Sequence, residues 1–193
     1  MNTLLIAGLG NPGPTYQWTR HNAGFLFLDR LAHLENTSIT RKSFSGLAGE
    51  WSRGDNRLIL LKPQTFMNLS GRSVMQALQF YKLPLSHLIV VHDELDLPFG
   101  TVRFKQGGGH GGHNGLRSIM EQLGKGDFIR LRIGIGKPVH GDTSNYVLGH
   151  IPPEQMETLS RVLDGGLDML EMMLDEGLPK AMSMFNNRNF VEK

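Results

Sequence analysis

Residues 4–34, LLIAGLGNPGPTYQWTRHNAGFLFLDRLAHL, contain the pattern that decides the fold class. The continuous apolar run from Leu4 to Leu9 predicts a buried strand, and the glycine- and proline-rich residues 10–14 that follow predict a turn. From Phe25 to Leu34 the apolar residues recur at helical spacing. A buried strand, a turn and an amphipathic helix in this order form the repeating unit of an α/β protein.

The rest of the chain continues this alternation of strands and helices. Strands are predicted at residues 48–52, 58–61, 88–92, 101–105 and 129–135. Helices are predicted from residue 68 or 70 to about 81, with Asn68 or Ser70 as the cap, and at 114–123 and 154–176. We therefore expect a three-layer α/β/α fold with a mixed central sheet, formed by one domain over residues 1–193.

The composition excludes several classes of chemistry. The chain has no cysteine, so a thiol nucleophile, a disulfide framework and a cysteine-bound zinc or iron-sulfur centre are ruled out. No apolar segment approaches the roughly 20 residues of a membrane-spanning helix, and no basic region precedes the first apolar run, so we expect a cytoplasmic chain without a membrane partner. Although the formal net charge is only +2, the basic residues are concentrated between positions 103 and 137, as phosphate binding would require.

A glycine-rich stretch, Gly107 to Gly115, surrounds two histidines and one asparagine just before a predicted helix. Glycine permits left-handed backbone angles and the close approach of a ligand, but it costs about 0.5 to 1 kcal/mol relative to alanine in regular structure. The composition of this stretch therefore favours a functional loop, and a flexible loop with solvated histidines is the simpler alternative.

Two motifs suggest cofactors and need separate consideration. Residues 8–13 match G-x-G-x-x-G, but prolines interrupt the turn, and Glu35 closes a helix where a dinucleotide site needs an acid at the end of a second strand. His110 and His113, with His92 and Asp93, could be metal ligands, yet the helix-borne H-E-x-x-H pattern is absent. We therefore expect neither a dinucleotide nor a metal, and metal-dependent hydrolysis remains an alternative.

A set of polar residues follows the ends of predicted elements, where open α/β sheets bind ligands: Asn11, His21, Asn22, Asn68, Asp93, His113 and Asn114. A carboxylate at Asp93 can orient the His21 imidazole while the other ring nitrogen takes a proton from water. Asparagine amides can hold the water and an oxyanion. This combination is typical of a metal-independent hydrolase.

With these residues assembled, the chain closely resembles the bacterial peptidyl-tRNA hydrolases, which cleave the ester between a peptide and the terminal ribose of tRNA. The resemblance covers nearly the whole chain and is carried by six motifs in order: GLGNPG at 8–13, TRHNAG at 19–24, KPQTFMNLSG at 62–71, HDELD at 92–96, GGGHGGHNGL at 107–116 and RLRIGIG at 130–136.

The resemblance implies roles for individual residues. His21 would be the general base, Asp93 would stabilise it, and Asn11 would distinguish blocked from free amino-acid amines. The remaining implied contacts are with substrate or tRNA: Asn68 and Asn114 near the scissile ester, Tyr16 and Phe66 along the same cleft, His113 at its rim, and Lys105 with Arg132 as a clamp for the tRNA 5′-phosphate.

We accordingly expect a monomeric, cofactor-free enzyme that binds the acceptor stem, 3′ end and peptide of peptidyl-tRNA and needs no protein partner. Two other interpretations stay open at this point. One is a module that binds the tRNA acceptor stem without catalysis, and the other is a zinc amidase or esterase that uses His110 and His113.

Overall fold

A computed structural model describes residues 2–191 of the chain. Within them, seven strands and six α-helices occur in the following order: Asn2–Gly8 (β1), Ala23–Leu34 (α1), Ile39–Ser43 (β2), Gly46–Arg53 (β3), Asn56–Pro63 (β4), Ser70–Tyr81 (α2), Leu88–Glu94 (β5), Val102–Gln106 (β6), Asn114–Leu123 (α3), Ile129–Gly134 (β7), Thr143–Val147 (α4), Met156–Glu176 (α5) and Leu178–Phe185 (α6). The predicted domain, residues 1–193, extends beyond the described residues at both ends.

All seven strands form one mixed sheet in the order β2-β3-β4-β1-β5-β7-β6. The four central strands are parallel, since β1 pairs in parallel with β4 and β5, and β5 with β7. The outer strands β2, β3 and β6 pair antiparallel with their inner neighbours. Strand β1 therefore lies at the centre of the sheet, with β5 beside it.

Alternating residues of the central strands enter two separate cores. Leu4 and Ile6 of β1 face one core with α1, α5 and α6, whereas Leu5 and Ala7 face a second core with α2 and α3. Both faces of a largely parallel sheet must be covered, which explains why its strands are continuous apolar runs. The expected three-layer α/β/α fold with a mixed sheet is confirmed.

Three elements were not predicted from the pattern: β2, α4 and α6. Strand β2 has three exposed residues among its five, and α4 spans a single turn and a half, so neither has a clear apolar periodicity. The predicted capping of α2 is wrong, because neither Asn68 nor Ser70 bonds to a free N–H at its start. A 3-10 turn at Met67–Leu69 leads into α2 instead, and the Ser70 hydroxyl donates to the Met67 carbonyl oxygen over 2.8 Å.

The segment after β1 differs in structure from a dinucleotide-binding turn. Turns follow Gly13, and a 3-10 turn at Arg20–Asn22 precedes α1, which begins only at Ala23. No helix N-terminus therefore lies at the third glycine of the motif. Among the described residues, no helix combines the length and the apolar composition needed to cross a lipid bilayer.

Direct backbone contact holds α1 against the strand ends. A Cβ atom at Gly24 would lie 2.3 Å from the Leu9 nitrogen and 2.4 Å from the Val91 carbonyl oxygen, so no other residue fits there without movement. Gly8 faces the same contact, because its Cβ would lie 2.4 Å from the Gly24 carbonyl oxygen. This fit fixes the start of α1 over the ends of β1 and β5.

We expect Gly24→Ala to reduce the free energy of unfolding by about 1 to 3 kcal/mol, because overpacking against backbone outweighs the better helix propensity of alanine. Denaturant unfolding measures this change. Gly109→Ala is the matched control, since nothing lies within 4 Å of its Cβ position, and it should change stability by less than about 0.5 kcal/mol. An equal effect of both substitutions would contradict the packing role of Gly24.

Candidate active site

The candidate site lies where β1 and β5 end. These strands are parallel neighbours, so the residues that follow them meet at one edge of the sheet, joined by a 3.0 Å bond from the Leu9 N–H to the Val91 carbonyl oxygen. Asn11 follows β1, and Asp93 lies near the end of β5. The carboxyl edge of a parallel sheet is the usual ligand site of such folds.

His21 lies in the 3-10 turn before α1 and is buried. Its Nδ1 is 3.0 and 2.9 Å from the two carboxylate oxygens of Asp93. An ionised carboxylate only accepts hydrogen bonds, so the ring proton must be on Nδ1. Since none of the residues described in the structure hydrogen-bonds to Nε2, that atom keeps a free lone pair.

The Asp93 carboxylate is 2% exposed and has a second imidazole partner, because His113 Nε2–H donates to Oδ1 over 2.8 Å. Burial raises the pKa of Asp93, but electrostatic attraction to the two histidines and the hydrogen bonds from them outweigh this effect and hold the pKa well below its ordinary range. Asp93 is therefore a charged carboxylate at neutral pH.

His113 has a further role at the start of α3. Its Nδ1 accepts hydrogen bonds from the N–H groups of Gly115 and Leu116, at 3.1 and 3.3 Å. The ring is thus the N-cap of the helix, a position that asparagine, aspartate or serine usually occupies. Because Nδ1 accepts, the proton is on Nε2, where it is donated to Asp93.

The same surroundings shift the pKa values of His21 and His92. Burial lowers the pKa of His21, but the charge of Asp93 and the hydrogen bond to it outweigh burial and hold the pKa above the ordinary value of 6.5. Burial, together with the neighbouring His113, lowers the pKa of His92 to about 3. His92 is therefore neutral, and its Nδ1–H donates to the Asp93 carbonyl oxygen over 2.8 Å.

Three hydrogen bonds orient Asn11. The backbone N–H of Asn11 donates to Asn22 Oδ1 over 2.8 Å, and Asn22 Nδ2 donates to the backbone carbonyl oxygen of Asn11 over 3.0 Å. In the side chain, Oδ1 accepts the Met67 N–H over 2.7 Å. The side-chain oxygen is thus occupied, while the amide Nδ2–H₂ has no partner among the described residues and remains a donor.

One cavity brings five of the ten predicted site residues together. Asn11, His21, Phe66, Asn68 and Asn114 all line it, together with Met67. Tyr16 contacts this group through the Phe66 ring, with centroids 6.3 Å apart in an edge-on arrangement. Phe66 is half exposed, so an apolar surface borders the polar centre.

Helix α4 forms part of the wall of the site, although it was not predicted from the sequence. Ser144 and Val147 line this cavity and a second one that contains His21, Asp93 and His113. The available signal was Asp142, which caps α4 by accepting the Asn145 N–H over 2.8 Å.

Contacts with the residues before His21 hold α4 in place. The Arg20 guanidinium lies 4.2 Å from the centroid of the Tyr146 ring and donates to the Tyr146 carbonyl oxygen over 3.2 Å. The Tyr146 hydroxyl donates to the Ile135 carbonyl oxygen over 2.5 Å. Thr19 and His150 form an isolated antiparallel bridge. The wall of the site and the segment that bears the imidazole are therefore joined.

Lys105 and Arg132 do not line either cavity. They lie on β6 and β7, where Lys105 is opposite Arg130 and Arg132 is opposite Arg103. Lys105 is exposed, whereas Arg132 is partly buried with its Nη1 3.8 Å from Glu94 Oε1. Lys105, Arg103 and Arg132 form a basic face at this edge of the sheet, and Arg130 beside them is buried.

The residues that could hold a metal ion differ from those considered in the sequence. His21, Asp93 and His113 offer ligand atoms within 4.8 Å of one another, whereas His110 lies outside this group. In the present arrangement these atoms are already joined by hydrogen bonds. A metal would have to replace the proton that each histidine donates to Asp93.

Comparison with known proteins gives a consistent result over nearly the whole chain. The family model described as peptidyl-tRNA hydrolase matches residues 5–193. The chain is 85% identical over 193 residues to the peptidyl-tRNA hydrolase of Pelobacter propionicus, with 100% of both chains covered. It is 71% identical over 192 residues to that of Trichlorobacter lovleyi, again with 100% of both covered.

A solved structure supports the same assignment at the level of the fold. Peptidyl-tRNA hydrolase from Acinetobacter baumannii superposes with a TM-score of 0.91 at 39% sequence identity, covering 98% of this chain and 97% of that one. Since the family model, the relatives and the solved structure agree, the resemblance seen in the six motifs is confirmed, and the chain belongs to the peptidyl-tRNA hydrolase family.

Proposed function

We propose that this protein hydrolyses the ester bond between a peptide, or an N-blocked amino acid, and the terminal ribose of tRNA, releasing free tRNA. The observation that supports this activity best is the contact of His21 Nδ1 with Asp93, which leaves Nε2 free to accept a proton. The relatives from Pelobacter propionicus and Trichlorobacter lovleyi are named for the same activity.

In the proposed reaction, His21 Nε2 takes a proton from a water molecule as that water attacks the ester carbonyl. The tetrahedral intermediate then breaks its bond to the ribose oxygen, which takes the proton from the His21 imidazolium and leaves as the hydroxyl of free tRNA. The imidazolium that forms is stabilised by the buried Asp93 carboxylate, which stays ionised throughout. General base catalysis of this kind contributes typically about 10² to 10⁴ in rate. An ester is reactive enough for this route, so the proposal includes neither a metal nor another cofactor.

Amide groups around the cavity bind the substrate near the scissile bond. Asn68 and Asn114 are exposed polar residues on its wall and can donate to the ester oxygen that becomes negatively charged. Phe66 and Tyr16 provide an apolar surface for the 3′ end or the peptide. His113 lines the rim of the site and holds the Asp93 carboxylate through its Nε2–H.

Asn11 selects for substrates with a blocked amine. Its Oδ1 is committed to the Met67 N–H, so the Nδ2–H₂ group faces the substrate as a donor. A donor can pair with the carbonyl of a blocking peptide, whereas a protonated free amine offers no acceptor. A site built around such a bond can discriminate by factors of about 10⁴ to 10⁵.

The basic face on β6 and β7 binds the acceptor stem, with Lys105 and Arg132 at the 5′-phosphate. Lys105 is exposed and needs no rearrangement, whereas Arg132 must exchange Glu94 for phosphate. We further propose that the chain acts as a cytoplasmic monomer, as one domain and without a protein partner.

We expect His21→Ala to reduce kcat/KM for N-acetyl-aminoacyl-tRNA by about 10² to 10⁴. The base must be neutral, so wild-type kcat/KM should fall as the pH decreases through a value above 6.5. His33→Ala, on α1 but outside the site, should retain activity, and a chelator should have no effect. Activity that survives in His21→Ala would exclude the base, and loss with chelator would favour a metal on His21, Asp93 and His113.

Asn11→Asp should lower the preference for blocked over free aminoacyl-tRNA by at least about tenfold. The carboxylate can still accept the Met67 N–H, but it has lost the donor and attracts a protonated amine. The ratio of kcat/KM for the two substrates measures this preference. Gln17→Glu adds the same charge in the adjoining cavity and should leave the ratio unchanged. Equal selectivity in Asn11→Asp and wild type would contradict the role of Asn11.

The phosphate clamp predicts a change in the salt dependence of tRNA binding. Each of Lys105→Met and Arg132→Met should reduce the slope of log affinity against log salt by about 1, because one phosphate contact is lost. Lys180→Met, an exposed residue on α6, is the charge-matched control. If the salt dependence of tRNA affinity in a variant equals that of wild type, the substituted residue does not contact the 5′-phosphate.

A further inference from the structure

Arg130 on β7 is a buried cation that no carboxylate pairs with among the residues described. It is 2% exposed, and it forms no ion pair with an acidic side chain among residues 2–191; the nearby Glu94 pairs with Arg132 instead. Burying a charge costs several kcal/mol unless the charge is paired or fully hydrogen-bonded. The groups that bond to its two Nη atoms therefore identify its role, while Nε has no partner among the described residues.

Its partners are backbone carbonyl oxygens of two loops. Nη1 donates to the Gly109 oxygen, while Nη2 donates to the Gly108 oxygen over 2.5 Å and to the Gly126 oxygen over 3.1 Å. The guanidinium also lies 4.7 Å from the centroid of the Phe128 ring. A planar guanidinium can hold several acceptors at once in a fixed geometry, which a lysine ammonium cannot do.

The loop that Arg130 holds has little order of its own. Between Gly107 and Gly112 it contains no helix or strand, and four of its glycines have positive φ angles, at residues 107, 108, 111 and 112. Glycine loses more conformational freedom on ordering than any other residue. Bonds to carbonyl oxygens from a rigid strand offset part of that loss.

The same loop delivers two residues to the site. Four positions after Gly109 comes His113, which donates to Asp93 and caps α3, and Asn114 on the cavity wall follows. A displacement at Gly108 and Gly109 would therefore move the second donor of Asp93 and one of the substrate amides together.

We propose that Arg130 is a positioning residue for the hydrolysis reaction: its guanidinium holds the glycine-rich loop so that His113 and Asn114 keep their places around Asp93 and the ester. This inference rests on the proposed function and goes beyond it, because Arg130 contacts neither substrate nor reacting atoms. Since the side chain is buried, it acts on the chemical step and not on tRNA affinity.

This placement separates Arg130 from the clamp beside it. A Cβ at Gly108 would lie 2.8 Å from Lys105 Nζ, so the exposed Lys105 and the buried Arg130 flank the same loop residue. Lys105 is open to a phosphate, whereas both Nη atoms of Arg130 are occupied by carbonyls. Substitutions at the two positions should therefore alter different parameters.

The test compares Arg130→Lys, which keeps the charge, and Arg130→Ala, which leaves room for an added guanidinium ion, on N-acetyl-aminoacyl-tRNA. We expect kcat to fall about 10- to 100-fold in both, the loss that a misplacement of about 1 Å causes. KM should change less than about threefold, and the salt slope of tRNA binding should equal that of wild type. Ethylguanidinium at millimolar concentration should restore part of kcat in Arg130→Ala but none in His21→Ala.

Arg30→Lys provides the matched control, because Arg30 also makes a two-pronged contact, with Asp164, but lies outside the site. Its kcat should be that of wild type. If circular dichroism shows that Arg130→Ala is not folded, Arg130→Lys and Arg130→Gln provide the test instead. The expected result is again a fall in kcat with little change in KM.

Unchanged kcat in folded Arg130 variants would overturn the proposal, as would a loss confined to KM and the salt slope, which would make Arg130 a tRNA contact. Wild-type protein that fails to cleave the substrate would instead refute the proposed function, so the two failures are distinguishable.

Discussion

A buried negative charge at Asp93 determines the protonation of the whole site. The carboxylate only accepts hydrogen bonds, so each histidine that contacts it must present an N–H. For His21 this places the proton on Nδ1 and leaves Nε2 basic, and for His113 it places the proton on Nε2 and leaves Nδ1 to cap α3. The proposed catalytic base and the start of a helix thus both depend on one desolvated charge.

The elements that present these groups come from distant parts of the sequence, and a tight backbone contact brings them together. Gly8 and Gly24 let α1 approach the ends of β1 and β5 without intervening side chains. His21, three residues before Gly24, is thereby placed above Asp93. A larger residue at either glycine would move the imidazole away from the carboxylate, even though neither glycine contacts it.

Much of the central framework could be predicted from the sequence, because it depends on local patterns. The apolar runs located β1, β4 and β5, and the periodic helix at 114–123 matched α3 at both ends. The closeness of Asp93 to the end of β1 followed from parallel strand ends. By contrast, β2, α4 and α6 are short or partly exposed, and their order depends on contacts with distant residues that a local pattern does not record.

The site shows the same division between local and distant information. The resemblance pointed to His21, Asp93 and Asn11 by their motifs and described His113 as a rim residue. It gave no sign that His113, which lines the cavity, also donates to Asp93 and caps α3. Arg130 had no signal beyond its place in a basic stretch. Its burial and its hydrogen bonds to carbonyl oxygens arise because the glycine-rich loop lies against β7 in the folded protein.

The attachment of α4 to the residues before His21 has a consequence for local stability. A helix of five residues is too short to be stable in isolation, so α4 owes its order to tertiary contacts. Those contacts include the Thr19–His150 bridge and the stacking of Arg20 on Tyr146, next to the base itself. The wall of the cleft and the turn that carries the imidazole therefore belong to one cooperative unit, and a local opening that releases the wall also loosens the base.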